Sequence, residues 1–449
     1  MRIAIFVHGF FPAHFYGTET YTLNLAKQLQ KAGHEPIVIS ANYQGEPMSE
    51  EAISTYVYEE IPVYCIDKNY FPNTRLRDIY YQPQMSKIFK DLLEHIKPDL
   101  VHVTHIFNHT VILLETVAKH NIPIVGTLTD FFGFCFKSTL EAADGSLCQG
   151  PDEHKANCLT CLMRSKGNNQ QEQSVIRRII AKYPWLLLRN IILLEYVNRI
   201  TGLYKNTVMN IQDIKDRSEI MLKYYSLYDA VIAPTKFLRK AYITNGLKVP
   251  VHLIYFGTDL PRIPKNFPST KYPIRFGFIG QISSHKGTDI LVDAFCRLPK
   301  GLAELHIYGQ MDKNNTYSEK LLSSSKGNDI FFKGTFPSNQ IAEVLNTLDF
   351  LVIPSRWHEN SPLVLLNALA SHTPVIVSEG KGMTEFIEEG KNGYVFPMGS
   401  VDRLEKVLRK IIDNPESSRE MFKTTEYPRT NEMMVNDVLS VYESVMSRR

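Results

Sequence analysis

Residues 357–367 read W-H-E-N-S-P-L-V-L-L-N and set a carboxylate, Glu359, just after the apolar run Leu348-Asp349-Phe350-Leu351-Val352-Ile353-Pro354 and before a helical pattern from Leu363 to Ala370. A strand-to-helix corner of this kind collects unpaired backbone N–H groups, which favour anions. Glu359 would repel a phosphate placed directly on it. One reading therefore has it grip a neutral, hydroxyl-rich group while the amides after it hold charge. The other makes it a first-turn acid worth roughly 0.3–1 kcal/mol to the helix. A second window, Gly280-Gln281-Ile282-Ser283-Ser284-His285-Lys286-Gly287, follows an apolar run and opens a helical pattern. Its glycine lets backbone approach a phosphate and Lys286 supplies a point charge. It matches neither G-x-G-x-x-G nor the Walker pattern, so a plain loop with an exposed lysine fits this window equally well. A third signal is Cys135-x₁₂-Cys148-x₉-Cys158-x₂-Cys161. Four soft sulfur ligands suit tetrahedral zinc with no open position, hence a structural ion. Free thiols, a redox pair or an iron–sulfur cluster are the alternatives.

The elements that would carry these windows alternate between two periodicities. Apolar runs at Ile3–Val7, Pro36–Ser40, Leu100–Thr104 and Pro123–Leu128 are separated by helical stretches at Thr20–Ala32, Met85–Ile96 and Val111–His120. Strands separated by helices of this length predict βαβ units and a parallel sheet. Residues 131–225 break the rhythm with the cysteines and long helical stretches, before a strand at Ala230–Ala233 and a helix at Lys236–Asn245. After Pro261–Pro273, which holds four prolines, the alternation restarts with strands at Ile274–Ile279, Glu304–Tyr308, Ile330–Phe332, Phe350–Ile353 and Pro374–Val377. The expectation is an N-terminal domain over 1–260 with an insertion at about 131–225, a second domain over 261–430, and a C-terminal helix over 431–449 that packs back on the first. Open α/β sheets bind ligands beyond the carboxyl ends of their strands, so two such halves predict a site between them.

Composition narrows the classes. At 449 residues the chain is too long for one ordinary core, and 44% hydrophobic with 22% charged residues is a globular balance. A formal charge of +3 gives no reason to expect nucleic acid as a partner. The opening M-R-I-A-I-F-V-H-G-F is expected to be a first strand rather than a signal peptide, which points to the cytoplasm. Residues 177–200 mix arginines, Trp185 and leucines; charges interrupt every apolar run before the roughly 20 residues a span needs. Such a stretch either lies on an anionic membrane face as a peripheral contact or packs on its own domain.

Taken in order, the windows Gly280–Gly287, Glu359–Asn367, Glu379–Ile387 and Asn392–Pro397 resemble the donor half of the retaining glycosyltransferase family 4, whose fold is GT-B: two Rossmann-like doubly wound α/β domains facing across a cleft. Gly17-Thr18-Glu19-Thr20, running into Leu23, Ala26 and Leu29, is similar to that family's glycine loop and first helix. The resemblance implies transfer from a nucleotide diphosphate sugar to a glycan or lipid-linked acceptor, as in surface polysaccharide synthesis, without a metal at the reaction centre. It implies that Lys286 neutralises the leaving diphosphate and that Glu359 holds donor-sugar hydroxyls. It places the amides of Asn360, Ser361, Leu363 and Val364, with Gly280 and Gln281, around sugar and phosphate, and Asn367 near the ribose. Gly17, Thr18 and Asp130 would line the other half. Three departures stand out: Gln281 where the family has arginine, Asn367 where it has a second glutamate, and Tyr16-Gly17 where it has paired glycines. Thr129 stands where the family often has a histidine before the aspartate matching Asp130. Of His102 and His105, His105 is the candidate catalytic residue because it falls where a strand runs out. Some bacterial members carry a similar cysteine insertion after that aspartate. Replacing Glu359 or Lys286, at a corner rather than in a core, should spare the fold. A non-catalytic sugar-nucleotide-binding subunit remains an alternative, motivated by Gln281 and Asn367; a nicotinamide oxidoreductase is a third, without its glycine fingerprint.

Overall fold

In the computed structural model the chain is described over residues 1–448 except 48–49, 143, 166–204, 262, 264, 266–271 and 313–314. The stretch 177–200, expected at a membrane face, lies outside the described residues. Among the described residues no helix is long and apolar enough to cross a membrane. Two compact units form, one from Met1–Ile254 with Val435–Arg449, the other from Tyr255–Met434.

Among the described residues, unit 1 is built on eight strands: β1 (Arg2–Phe6), β2 (Glu35–Asn42), β3 (Ile53–Tyr58), β4 (Ile61–Asp67), β5 (Leu100–Val103), β6 (Ile124–Thr127), β7 (Ala230–Ala233) and β8 (Val251–Leu253). Their order is β3-β4-β2-β1-β5-β6-β7-β8, parallel throughout except where β3 pairs antiparallel with β4. The central strands are buried on both faces, with Ile3 to Phe6 and Leu100 to His102 at 0% exposure, which is why they read as unbroken apolar runs rather than alternating ones. His102 is the polar member of that run. Its Nδ1 meets the Tyr442 hydroxyl at 2.6 Å and its Nε2 meets Thr127 Oγ1 at 2.8 Å, so it ties the C-terminal helix Asn431–Met446 to the sheet.

Unit 2 holds β9 (Ile274–Ile279), β10 (Ala303–Tyr308), β11 (Ile330–Gly334), β12 (Phe350–Ile353), β13 (Val375–Ser378) and β14 (Gly393–Phe396), all parallel, in the order β11-β10-β9-β12-β13-β14. The expected division at 260/261 falls instead at Tyr255. The reason is backbone pairing: Arg429 Nε donates to Tyr255 O at 2.7 Å, the Tyr427 hydroxyl bonds Phe256 O, and Thr258 N bonds Arg429 O, so Tyr255–Asp259 is knitted to the second unit.

In each sheet the direction of strand addition reverses once. In unit 1 this happens between β1 and β5, in unit 2 between β9 and β12. Connections leave such a pair in opposite directions and open a crevice beyond the carboxyl ends of the two strands. The loops at those ends carry His8 and His105 in one unit, and Gly280–Gly287 and Pro354–Glu359 in the other.

Candidate functional site

In unit 2 the loop after β12 folds onto the loop after β9. Arg356 makes a two-pronged pair with Asp289, both contacts at 2.6 Å, and also donates to Ser284 O. Asp289 opens the helix Thr288–Phe295. Burial would raise its carboxyl, but Arg356 and the Tyr317 hydroxyl hold it below the usual range. Gly287 lets the two loops approach: its φ is +71°, and a Cβ there would stand 2.0 Å from Pro354 O. With the loops fastened, Lys286 Nζ reaches Glu359 Oε1 at 2.7 Å. The Ser355 hydroxyl and the Trp357 indole N–H donate to the same oxygen, each at 2.7 Å. The ammonium also lies 5.1 Å from the Trp357 ring centre.

Glu359 is therefore not a surface cap. It is 7% exposed. Burial alone would push its carboxyl up, but Lys286, Ser355 and Trp357 together hold it below its ordinary value. The idea that its replacement spares the fold must be corrected, because a buried carboxylate holding a cation and two neutral donors is also structural. Its Oε2 takes none of these three bonds.

Beyond Glu359 the chain turns through Ser361, at φ +58°, into the helix Leu363–Ala370. Among the described residues, Asn360 Oδ1 and Ser361 Oγ are buried without hydrogen-bond partners. The N–H groups of Leu363 and Val364 lie in the first helical turn, where the backbone offers them no acceptor. Donors and unpaired polar atoms thus gather beside the Lys286–Glu359 pair. The glycine-rich stretch after β13 packs beneath them: a Cβ on Gly382 would fall 1.5 Å from Glu359 O. Asn367 Oδ1 accepts from the Thr258 hydroxyl at 2.7 Å. Gln281 is exposed at the end of β9, beside Gly280.

In unit 1 His105 Nδ1 accepts the Phe107 N–H at 3.1 Å, so Nε2 carries the proton it shares with Asp130 Oδ2 at 2.9 Å. Asp130 Oδ1 in turn accepts from Phe132 N. The His8 ring centre lies 4.4 Å from that of His105, and His8 Nε2 is 3.2 Å from Glu19 Oε1. Two histidine–carboxylate pairs are thus stacked at the strand-order reversal. Glu19 is 1% exposed and burial raises its carboxyl, while burial, with His105 next, lowers His8. His105 and Asp130 also line a small pocket with Thr104, Thr129 and Phe132. Gly17 starts the helix Gly17–Lys31 with nothing near where a Cβ would stand, and Thr18 O accepts from Thr22 Oγ1.

The cysteines stand on a different part of unit 1. Cys158 and Cys161 lie on the helix Ala156–Ser165, which packs Leu159 and Leu162 against Ile211 and Ile214. Burial above all pushes the Cys158 thiol up to about 12. Among the described residues no three histidine, cysteine or acidic side chains are gathered closely enough to hold a metal ion.

The Glu359 clamp from Ser355 and Trp357 and the Arg356–Asp289 staple were not foreseen, nor was the His8–Glu19 pair. A cue for the first two existed: both flank Glu359 within four residues of the β12 end.

Comparison with known proteins places these loops in context. Residues 261–427 match the sequence family described as Glycosyl transferases group 1, and residues 15–137 match Glycosyltransferase Family 4. The chain is 28% identical over 201 residues to mannosylfructose-phosphate synthase of Agrobacterium fabrum, covering 40% of this chain and 44% of that one. It is 25% identical over 204 residues to sulfoquinovosyl transferase SQD2 of Arabidopsis thaliana, covering 42% and 39%. The chain thus spans less than half the length of these two curated relatives. Among solved structures it resembles sucrose-phosphate synthase from Thermosynechococcus elongatus, with a TM-score of 0.63 at 15% identity and 100% of both chains covered. It also resembles Anabaena HepE in complex with UDP-glucose, with a TM-score of 0.63 at 15% identity, covering 99% of this chain and 100% of that one.

Proposed function

The chain belongs to the group 1, family 4 glycosyltransferases with the GT-B fold, and we propose that it moves a sugar from a nucleotide diphosphate sugar to a glycan or lipid-linked acceptor. The transfer retains anomeric configuration and serves a surface polysaccharide or another glycoconjugate, in the cytoplasm. What carries the reading is the grouping of Lys286, Glu359 and the unpaired polar atoms of Asn360 and Ser361 at the strand-order reversal of unit 2.

The chemistry follows from charge. When the anomeric C–O bond breaks, its electron pair stays with the leaving phosphate oxygen, and a positioned cation lowers the energy of that state more than of the ground state. Lys286 is that cation. At rest Glu359 holds it in place, so no rearrangement is needed as charge develops. The N–H groups of Leu363 and Val364 add partial positive charge at a helix start. Glu359 Oε2, acceptor-only while ionised, suits sugar hydroxyls. In unit 1 the His105–Asp130 pair offers an oriented imidazole to an acceptor hydroxyl. A neighbour solved with UDP-glucose supports a nucleotide sugar as donor and makes UDP-glucose the first compound to try.

A thermal-shift series with uridine, guanosine and adenosine diphosphate sugars tests the donor reading, because a ligand bound only by the folded state raises apparent stability. One base class should raise the transition in the wild type and lose that effect in Lys286→Ala. A flat response to all three classes would refute donor binding. The second reading, a sugar-nucleotide binder without turnover, is motivated by Gln281 and Asn367, which stand where the family has arginine and glutamate. It predicts the same shift with no release of nucleoside diphosphate.

A further inference from the structure

The helix Lys205–Tyr225 carries two adjacent polar side chains whose bonding is incomplete. Arg217 is 4% exposed and Ser218 9%. Arg217 Nη2 donates to Phe132 O, and the guanidinium lies 4.7 Å from the Phe132 ring centre and 5.5 Å from that of Tyr80. Among the described residues, Arg217 Nη1 and Ser218 Oγ are buried with no hydrogen-bond partner. The nearest acids of the same helix are engaged elsewhere: Asp213 accepts from Arg75 and from the Arg77 N–H, and Asp216 accepts from Gln212. A guanidinium cannot shed its proton to escape burial, so leaving it uncompensated is costly. Arg217 and Ser218 line a small pocket together with Lys155, Cys158 and the apolar Phe134, Phe136 and Ile214. Lys155 Nζ donates to Asp152 O at 3.3 Å, which leaves further N–H donors on the same nitrogen. The Asp152 carboxylate instead caps the helix Ala156–Ser165, accepting from Ala156 N and Asn157 N. Among the described residues, the polar lining is therefore two cations, a hydroxyl and a thiol, with no carboxylate.

We propose that this pocket binds one small inorganic anion of halide size, such as chloride, held by the Arg217 guanidinium, the Ser218 hydroxyl and the Lys155 ammonium. Charge selects an anion over water: a water molecule could satisfy Nη1 and Oγ, but it would leave the buried guanidinium without a counter-charge. Size selects a halide, because the space admits about one water-sized particle. A phosphate or a sulfate, each a central atom inside four oxygens, is too large for it. The ion would tie Lys155, at the start of the Ala156–Ser165 helix, to Arg217 within the Lys205–Tyr225 helix. Its influence would extend further along one chain of bonds. Phe132 O accepts from Arg217 while Phe132 N donates to Asp130 Oδ1, so fixing Arg217 also steadies the loop that carries Asp130. The assignment stands apart from the sugar-transfer reading and does not depend on it.

Urea denaturation of the full chain at fixed ionic strength, with gluconate replaced stepwise by chloride and, in a second series, by bromide, tests the site. A ligand bound only by the folded state stabilises it by mass action, so above half-saturation each tenfold rise in halide should multiply the folding equilibrium constant by close to ten. Ser218→Ala should weaken halide binding roughly 10–100-fold, the equivalent of one hydrogen bond to a charged group. Arg217→Met should abolish the halide dependence, and Arg217→Lys should restore part of it. Should Arg217→Met fail to fold, Ser218→Ala and Lys155→Gln carry the comparison. Crystals grown in bromide should show an anomalous peak between Arg217 and Ser218. A wild type whose stability ignores halide would overturn the proposal, and so would a bromide crystal with only water in the pocket. Equal stabilisation by sulfate would overturn the halide size, and unchanged halide dependence in both Ser218→Ala and Lys155→Gln would overturn the location.

Discussion

Replacing Glu359 with alanine should unsettle unit 2 as well as stop turnover. The carboxylate side chain is 9% exposed and its partner Lys286 25%. Removing one member of a buried ion pair typically destabilises by ~3–5 kcal/mol, because the other charge is left uncompensated. Lys286 keeps a quarter of its exposure and can recover some water, which places the loss near the lower bound, ~3 kcal/mol. Ser355 and Trp357 lose their acceptor in the same step, but these losses share one oxygen and do not add. Glu359→Gln keeps an oxygen for Ser355 and Trp357 and gives up only the charge, so it should lose about half as much. Urea denaturation of wild type, Glu359→Ala and Glu359→Gln at pH 7 gives the three values. The pH dependence is a second check with a fixed sign. The folded carboxyl is held below its unfolded value, so its contribution is complete above the ordinary carboxylate pKa of about 4.3 and fades as pH falls through the folded value. The gap between wild type and Glu359→Gln should be flat from pH 7 down to that ordinary value and shrink only below it. A Glu359→Ala protein within ~0.5 kcal/mol of wild type, inside the range of ordinary surface substitutions, would refute the clamp.

Gly382→Ala should destabilise unit 2 by ~1–3 kcal/mol, as overpacking does, because its Cβ would fall 1.5 Å from Glu359 O; thermal denaturation checks it, and donor binding should weaken in parallel. His102, fully buried, has its pKa lowered by burial to about 3. Unfolding then takes up a proton below its ordinary value of about 6.5, so stability falls as pH drops from there to about 3, by up to roughly 5 kcal/mol. His102→Gln should reduce that slope between pH 6 and 4 by about one proton, measured by denaturation across pH. Tyr442→Phe should lose ~1–3 kcal/mol, since it strands the buried His102 Nδ1.

Much of the fold was legible because buried parallel strands show as apolar runs. The strand at Phe350–Ile353 and the helix at Leu363–Ala370 fall where the pattern put them. The first helix starts at Gly17 rather than Thr20, a shift ordinary for helix ends. The hairpin of β3 and β4 escaped notice because its turn is Glu59-Glu60, both at positive φ, where Asn-Gly or Asp-Gly would have announced it. At the site, Lys286 and Glu359 were legible as residues of the right type, each following an apolar run. Their contact was not, since it depends on β9 and β12 being neighbours, which strand order alone decides. The same holds for His8 and Glu19. They lie eleven positions apart, across a loop and into a helix, and only the fold brings the buried carboxyl to the imidazole. The contact of Asn367 with Thr258 was not legible, because nothing in its own window points to a residue 109 positions away.

The most direct test of sugar transfer is the rate of nucleoside diphosphate release from a panel of nucleotide sugars, with UDP-glucose first, comparing wild type with Lys286→Ala at saturating donor. The wild type should release diphosphate from one donor class, and the variant should be slower by ~10²–10³, the loss expected when one preorganised charge contact is removed. Equal rates in the two proteins would contradict the role of Lys286, and no release by the wild type from any donor would contradict sugar transfer itself.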